Sequence, residues 1–140
     1  MRATARRWWG RGFPIVDSLV LIEDQSVRDV VLVGLRNVPG CKADSPAGFP
    51  DVNRVRRRAY DTVFIDHDPN RGGAVERLER LRMLAPQAEI VVVAEERAAK
   101  ALASERGRLK LGAFLELPID VREFFRLSVR LRKRCALQKK

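Results

Sequence analysis

Three runs of four residues, Leu19-Val20-Leu21-Ile22, Thr62-Val63-Phe64-Ile65 and Ile90-Val91-Val92-Val93, apolar but for Thr62, limit most tightly what this chain can fold into. A fourth, Ala113-Phe114-Leu115-Glu116-Leu117, is broken only by Glu116. Each is too short for a helix, and helical patterns lie between them. Runs of this kind read as strands covered on both faces, which is the signature of a parallel sheet. The C-terminal ends of such strands share one edge, and ligands bind there where the strand order reverses. The first strand, expected at about 18–23, ends in Glu23-Asp24, and the third, at about 61–66, ends in Asp66. Carboxylates gathered at one edge repel one another unless a cation sits among them, and an all-oxygen ligand set suits Mg²⁺.

The intervening segments repeat at helical spacing. Val27, Val30, Val31, Gly34, Leu35 and Val38 form one stripe, with Ser26 placed to cap its start and Pro39-Gly40 to end it. Cys41-Lys42-Ala43 reads as a short strand, and an arginine-rich helix is expected over 51–58. Val75, Leu78, Leu81 and Leu84 or Ala85 mark a helix stopped by Pro86, and residues 97–106 form an alanine-rich helix. Pro118 ends the last strand, and Asp120 caps a final helix with the stripe Val121, Phe124, Phe125, Ser128, Leu131 and Cys135. Leu127 and Val129 fall outside that stripe, which marks them for a contact surface. The alternation of strand and helix predicts one three-layer α/β/α domain around a five-stranded parallel sheet. It occupies residues 18–140, after an irregular basic extension at 1–17 that contains Arg6-Arg7-Trp8-Trp9.

The net charge of +10 on 140 residues lies in the two ends. Residues 1–16 hold four arginines and no acid, and residues 121–140 hold eight basic side chains against Glu123 alone. The body between them is near neutral, unlike a surface made to coat nucleic acid. Cys41 and Cys135 match no metal or redox spacing and read as reduced thiols. No apolar run approaches the roughly 20 residues of a membrane span, and the N-terminus has no signal-peptide core, so a cytoplasmic protein is expected.

Taken together, Val20-Leu21-Ile22-Glu23-Asp24-Gln25, Tyr60-Asp61-Thr62-Val63-Phe64-Ile65-Asp66, the loop ending Gly72-Gly73, and Phe114-Leu115-Glu116-Leu117-Pro118-Ile119-Asp120 resemble the response-regulator receiver domain, the CheY-like branch of the flavodoxin-like fold. The resemblance covers about residues 18–134 and implies the strand order 2-1-3-4-5. It also implies that Asp66 is a phosphoacceptor, and that Glu23, Asp24, Asp66 and the position of Asp68 hold Mg²⁺. The chain departs from the family twice. The hydroxyl that contacts the phosphoryl group is replaced by Ala94, and the lysine before the proline by Leu117. A hydrogen bond to a charged group contributes about 1.5–3 kcal/mol, so losing both removes about two to four decades of preference for a phosphorylated conformation.

The expectation is an atypical receiver module of two-component signalling: not an enzyme, weakly or not phosphorylated at Asp66, and acting by protein docking. The resemblance implies partners such as a sensor kinase, a regulator or a motility or secretion component. It also implies a homodimer through the face made by helix 97–106, the fifth strand and the final helix. The alternative is a nucleic-acid-associated regulator that uses the basic ends. His67 beside Asp66 reads as a packed residue, and Lys110 is a weak candidate to replace the absent lysine.

Overall fold

The computed structural model describes residues 15–46 and 60–138. In chain order these form β1 (Val16–Leu21), α1 (Gln25–Arg36), β2 (Cys41–Asp44), β3 (Thr62–Asp66), α2 (Ala74–Leu84), β4 (Glu89–Glu95) and α3 (Glu96–Leu102). There follow a 3₁₀ turn (Ala103–Glu105), α4 (Arg106–Leu109), β5 (Leu111–Leu117) and α5 (Val121–Gln138). The five strands are parallel and ordered β2-β1-β3-β4-β5, the expected order. The expected helix at 51–58 and the Arg6-Arg7-Trp8-Trp9 segment lie outside the described residues.

Strand alternation sends successive side chains to opposite faces, and each face has its own core. Leu19, Leu21, Val63, Ile65, Ile90 and Val92 pack with Leu78 and Leu81 of α2 and with Ala98 and Leu102 of α3. Val20, Ile22, Phe64, Val91 and Val93 pack with Val31 and Leu35 of α1 and with Phe124, Leu127 and Leu131 of α5. The Phe64 and Phe124 rings meet edge to face, with centroids 6.1 Å apart. Gly34 makes that fit, because a Cβ there would overlap the Phe124 ring.

The structure departs from the sequence reading in several places. β1 starts at Val16, because Val16 N–H donates to Gly40 O at 2.8 Å and Asp17 N–H to Asp61 Oδ2 at 2.8 Å. Val16 and Asp17 therefore belong to the sheet and not to the lead-in. The strand ends at Leu21, so the Glu23-Asp24 pair sits in the loop after it. Asp24, not Ser26, caps α1. Val30 is 44% exposed and leaves the core stripe. The helix expected over 97–106 breaks at Leu102, where the backbone tightens to 3₁₀ before α4. On α5 the buried arc runs Phe124, Leu127, Ser128, Leu131 and Cys135, whereas Val121 and Phe125 are 71% and 54% exposed. Leu127 is thus core and Val129 half-buried, and the pair does not form the expected contact surface. The spacing was ambiguous because positions 124 and 127 share a face with 131, while 121 and 125 turn outward. No helix among the described residues is long and apolar enough to cross a membrane.

Candidate functional site

The C-terminal edge of the sheet opens into a cleft lined by Glu23 and Asp24 after β1, Asp66 to Gly73 after β3, Val93 and Glu95 of β4, Leu117 of β5, and Arg77 of α2. The ends of β1 and β3 are joined directly, because Glu23 N–H donates to Asp66 Oδ2 at 3.0 Å. The other carboxylate oxygen of Asp66 is taken by Arg77, whose Nη1 donates to Oδ1 at 2.8 Å and to the Asp66 carbonyl at 2.9 Å. Arg77 Nη2 reaches on to the carbonyl of Leu21 at 3.4 Å. Long helical side chains lean back toward the helix N-terminus, which is how a residue in the first turn of α2 reaches the ends of β1 and β3.

A second guanidinium closes the outer rim. Arg71 Nη1 and Nη2 donate to the two Glu23 carboxylate oxygens at 2.8 and 2.9 Å, and this pairing raises the arginine above its ordinary pKa. Asp24 serves the backbone: its Oδ1 accepts from Ser26 Oγ at 2.6 Å and from Val27 N–H at 3.1 Å. The Ser26 hydroxyl first, and then the Val27 amide, hold its carboxyl below the usual range. Asp68 Oδ1 accepts from Asn70 N–H at 3.0 Å and so stabilises its own turn.

All four acids singled out from the sequence therefore line one cleft, and each already has donors. Mg²⁺ needs free carboxylate oxygens, and Arg71 and Arg77 hold those of Glu23 and Asp66. Among the described residues, no three His, Cys, Asp or Glu side chains lie close enough together to hold a metal ion. In this arrangement the residues do not fit Mg²⁺.

Ala94 is buried in β4 opposite Glu116, and Leu117 is an apolar wall of the cleft. Among the described residues the lining has no serine, threonine or lysine. Lys110 precedes β5 and so lies at the edge of the sheet opposite Asp66, which removes it as a substitute cation. His67 is buried beside Asp66. Its backbone N–H donates to Val93 O at 3.0 Å, its ring Nδ1 lacks a hydrogen-bond partner among the described residues, and burial lowers its pKa.

Arg71 and Arg77 are the site residues that sequence reasoning missed. Arg77 left a signal, since it falls between Ala74, Leu78 and Leu81 on the inward arc of an amphipathic helix. An arginine there needs an anionic or carbonyl partner beneath it.

No protein-family model matches the sequence, and no curated protein matches it. Solved structures do match in fold. A Burkholderia thailandensis protein assigned to pilus assembly, cpaE, superposes with a TM-score of 0.67 at 18% identity, over 85% of this chain and 99% of its own. The chemotaxis response regulator CheY4 of Vibrio cholerae gives 0.67 at 17% identity, over 84% of this chain and 98% of its own. A protein described as an adenylate cyclase from Rhodopirellula baltica gives 0.74 at 11% identity, over 89% and 93%. At these identities the likeness establishes the CheY-like receiver fold.

Proposed function

We propose that this chain is a receiver-like signalling module whose acceptor pocket is closed by its own arginines, and that it acts by docking to other proteins. The observation that carries this reading is the double capture of Asp66, by Arg77 on one oxygen and by the Glu23 amide on the other. A phosphoacceptor must present a free carboxylate oxygen in line with the incoming phosphoryl group, beside a metal that neutralises developing charge. Here a guanidinium already neutralises Asp66, and Ala94 and Leu117 leave no hydroxyl or ammonium to read a phosphate. Asp66 then acts as a structural keystone that ties β1, β3 and α2 together. Phosphotransfer at Asp66 is weak or absent on this reading.

The fold and the named relatives support a partner among sensor kinases, regulators, or motility and secretion components. The docking face proposed for it, or for a second copy, runs over α3, the edge strand β5 and the adjoining side of α5. Titration of the labelled protein with Mg²⁺ and beryllofluoride, followed by amide spectra, tests the closed pocket. The expected result is no saturable shift in the wild type, and saturable shifts near residue 66 once Arg71→Ala and Arg77→Ala are combined. Wild-type shifts that saturate and spread into β5 and α5 would overturn the proposal.

A further inference from the structure

We infer that the outer face of α5 is a binding ridge for single-stranded nucleic acid, contacted through its phosphates and through one base stacked on Phe125. This goes beyond the docking role proposed above and rests on different residues. Arg122, Arg126, Arg130 and Lys133 follow one another at i, i+4, i+8 and i+11, and all four are exposed. At 3.6 residues per turn that spacing holds them within about 80° of arc, along roughly 16 Å of helix. A strand stacked at the B-form spacing of about 3.4 Å per phosphate passes some five phosphates over that length, and an extended single strand fewer.

These cations differ from most of the arginines among the described residues in having no partner there. Arg71, Arg77, Arg82, Arg106, Arg108 and Arg134 all donate to acids or carbonyls. Among the described residues, no ion pair or side-chain hydrogen bond engages the four on the ridge, and the helix's one acid, Glu123, pairs with none of them. Arginine is enriched in protein interfaces, but the charge-depleted core of such an interface does not accommodate four uncompensated cations in a row. It suits a polyanion. Phe125, 54% exposed between Arg122 and Arg126 in sequence, adds the second element. It stands one turn from Arg122, about 60° around the helix from the row. A π-face flanking a line of cations is a platform on which single-stranded bases stack without sequence preference, whereas a duplex keeps its bases from it.

The test is fluorescence anisotropy of the full chain with a labelled single-stranded oligonucleotide across a salt series. Four phosphate contacts predict a slope of log K against log salt of about −3 from the ridge. Arg126→Gln with Arg130→Gln should flatten the slope by about 1.4, and the corresponding lysine variants should restore it. Phe125→Ala should weaken binding by about tenfold or more at fixed salt without changing the slope. Arg6→Gln with Arg7→Gln, as a charge-matched control at the other basic end, should leave the effect of the ridge variants unchanged. Circular dichroism melts check that each variant is folded. A slope indifferent to the ridge variants overturns the inference. So does tighter binding of the matching duplex, or displacement of the oligonucleotide by an equal concentration of an acidic helical peptide, which would reassign the ridge to a protein partner.

Discussion

The cleft at the C-terminal edge of the sheet and the outer face of α5 use the same residue type in opposite ways. In the cleft, Arg77 and Asp66 are 21% and 25% exposed, and the guanidinium makes three bonds to a carboxylate and two carbonyls. On α5, four cations project into solvent with no side-chain partner among the described residues. Desolvation accounts for the difference. A half-buried charge loses water and must be repaid by fixed partners, whereas an exposed one keeps its hydration and stays available. Net charge alone therefore says little about a binding surface. The informative quantity is how much of that charge is already engaged inside the fold.

This contrast predicts a graded series of effects. Arg77→Met should be the most damaging, because it leaves Asp66 without its cation: about 2–4 kcal/mol of stability, read by chemical denaturation. An unchanged midpoint would place Arg77 with the idle surface charges. Arg82 shows the same internal use at the opposite edge, donating to the carbonyls of Leu109, Ala85, Pro86 and Lys110. Arg82→Met should cost about 2 kcal/mol in the same assay.

His67, the chain's one histidine, gives a pH handle on the cleft. Burial lowers its pKa from the ordinary 6.5, with Asp68 opposing the shift. The unfolded chain therefore holds the proton to higher pH than the folded one does. The His67 contribution to stability is complete above the unfolded value and is lost as pH falls through the folded value. Melting temperatures of wild type and His67→Gln should diverge below pH 6.5, and imidazole NMR should place the folded midpoint below 6.5.

Arg71→Ala should change stability far less than Arg77→Met or Arg82→Met, because both partners are more than two-fifths exposed and solvent screens the pair. Its effect on denaturation should be small even though it uncovers Glu23. Smallest of all, Arg126→Gln with Arg130→Gln should change stability by less than about 0.5 kcal/mol while changing ligand binding. A large loss of stability there would show that the ridge is structural and erase the contrast.

The sheet was legible because its signal is local. Apolar runs of four to seven residues separated by helical periods are enough to predict five parallel strands, and the observed order is the one expected. The boundaries were less legible. β1 starts two residues early because its first hydrogen bonds are made to Gly40 and Asp61, neither of them a neighbour in sequence. The cleft was half legible: Glu23, Asp24, Asp66 and Asp68 do line one space, but their partners were not foreseen. Position 24 could be read as a metal ligand or a helix cap with equal ease, and only the path of the chain after Leu21 made it the cap.

The amino-acid sequence alone determined the layer architecture, the strands followed by acids, and the apolar side chains at positions 94 and 117. Period, length and residue type are properties of neighbours in the chain. What each charge does was decided only in three dimensions. Arg71 meets Glu23 across 48 residues, and Arg77 meets the Leu21 carbonyl across 56. Whether a guanidinium finds a carboxylate, a carbonyl or water depends on which distant segment the sheet brings beneath it, and on how much solvent that segment displaces.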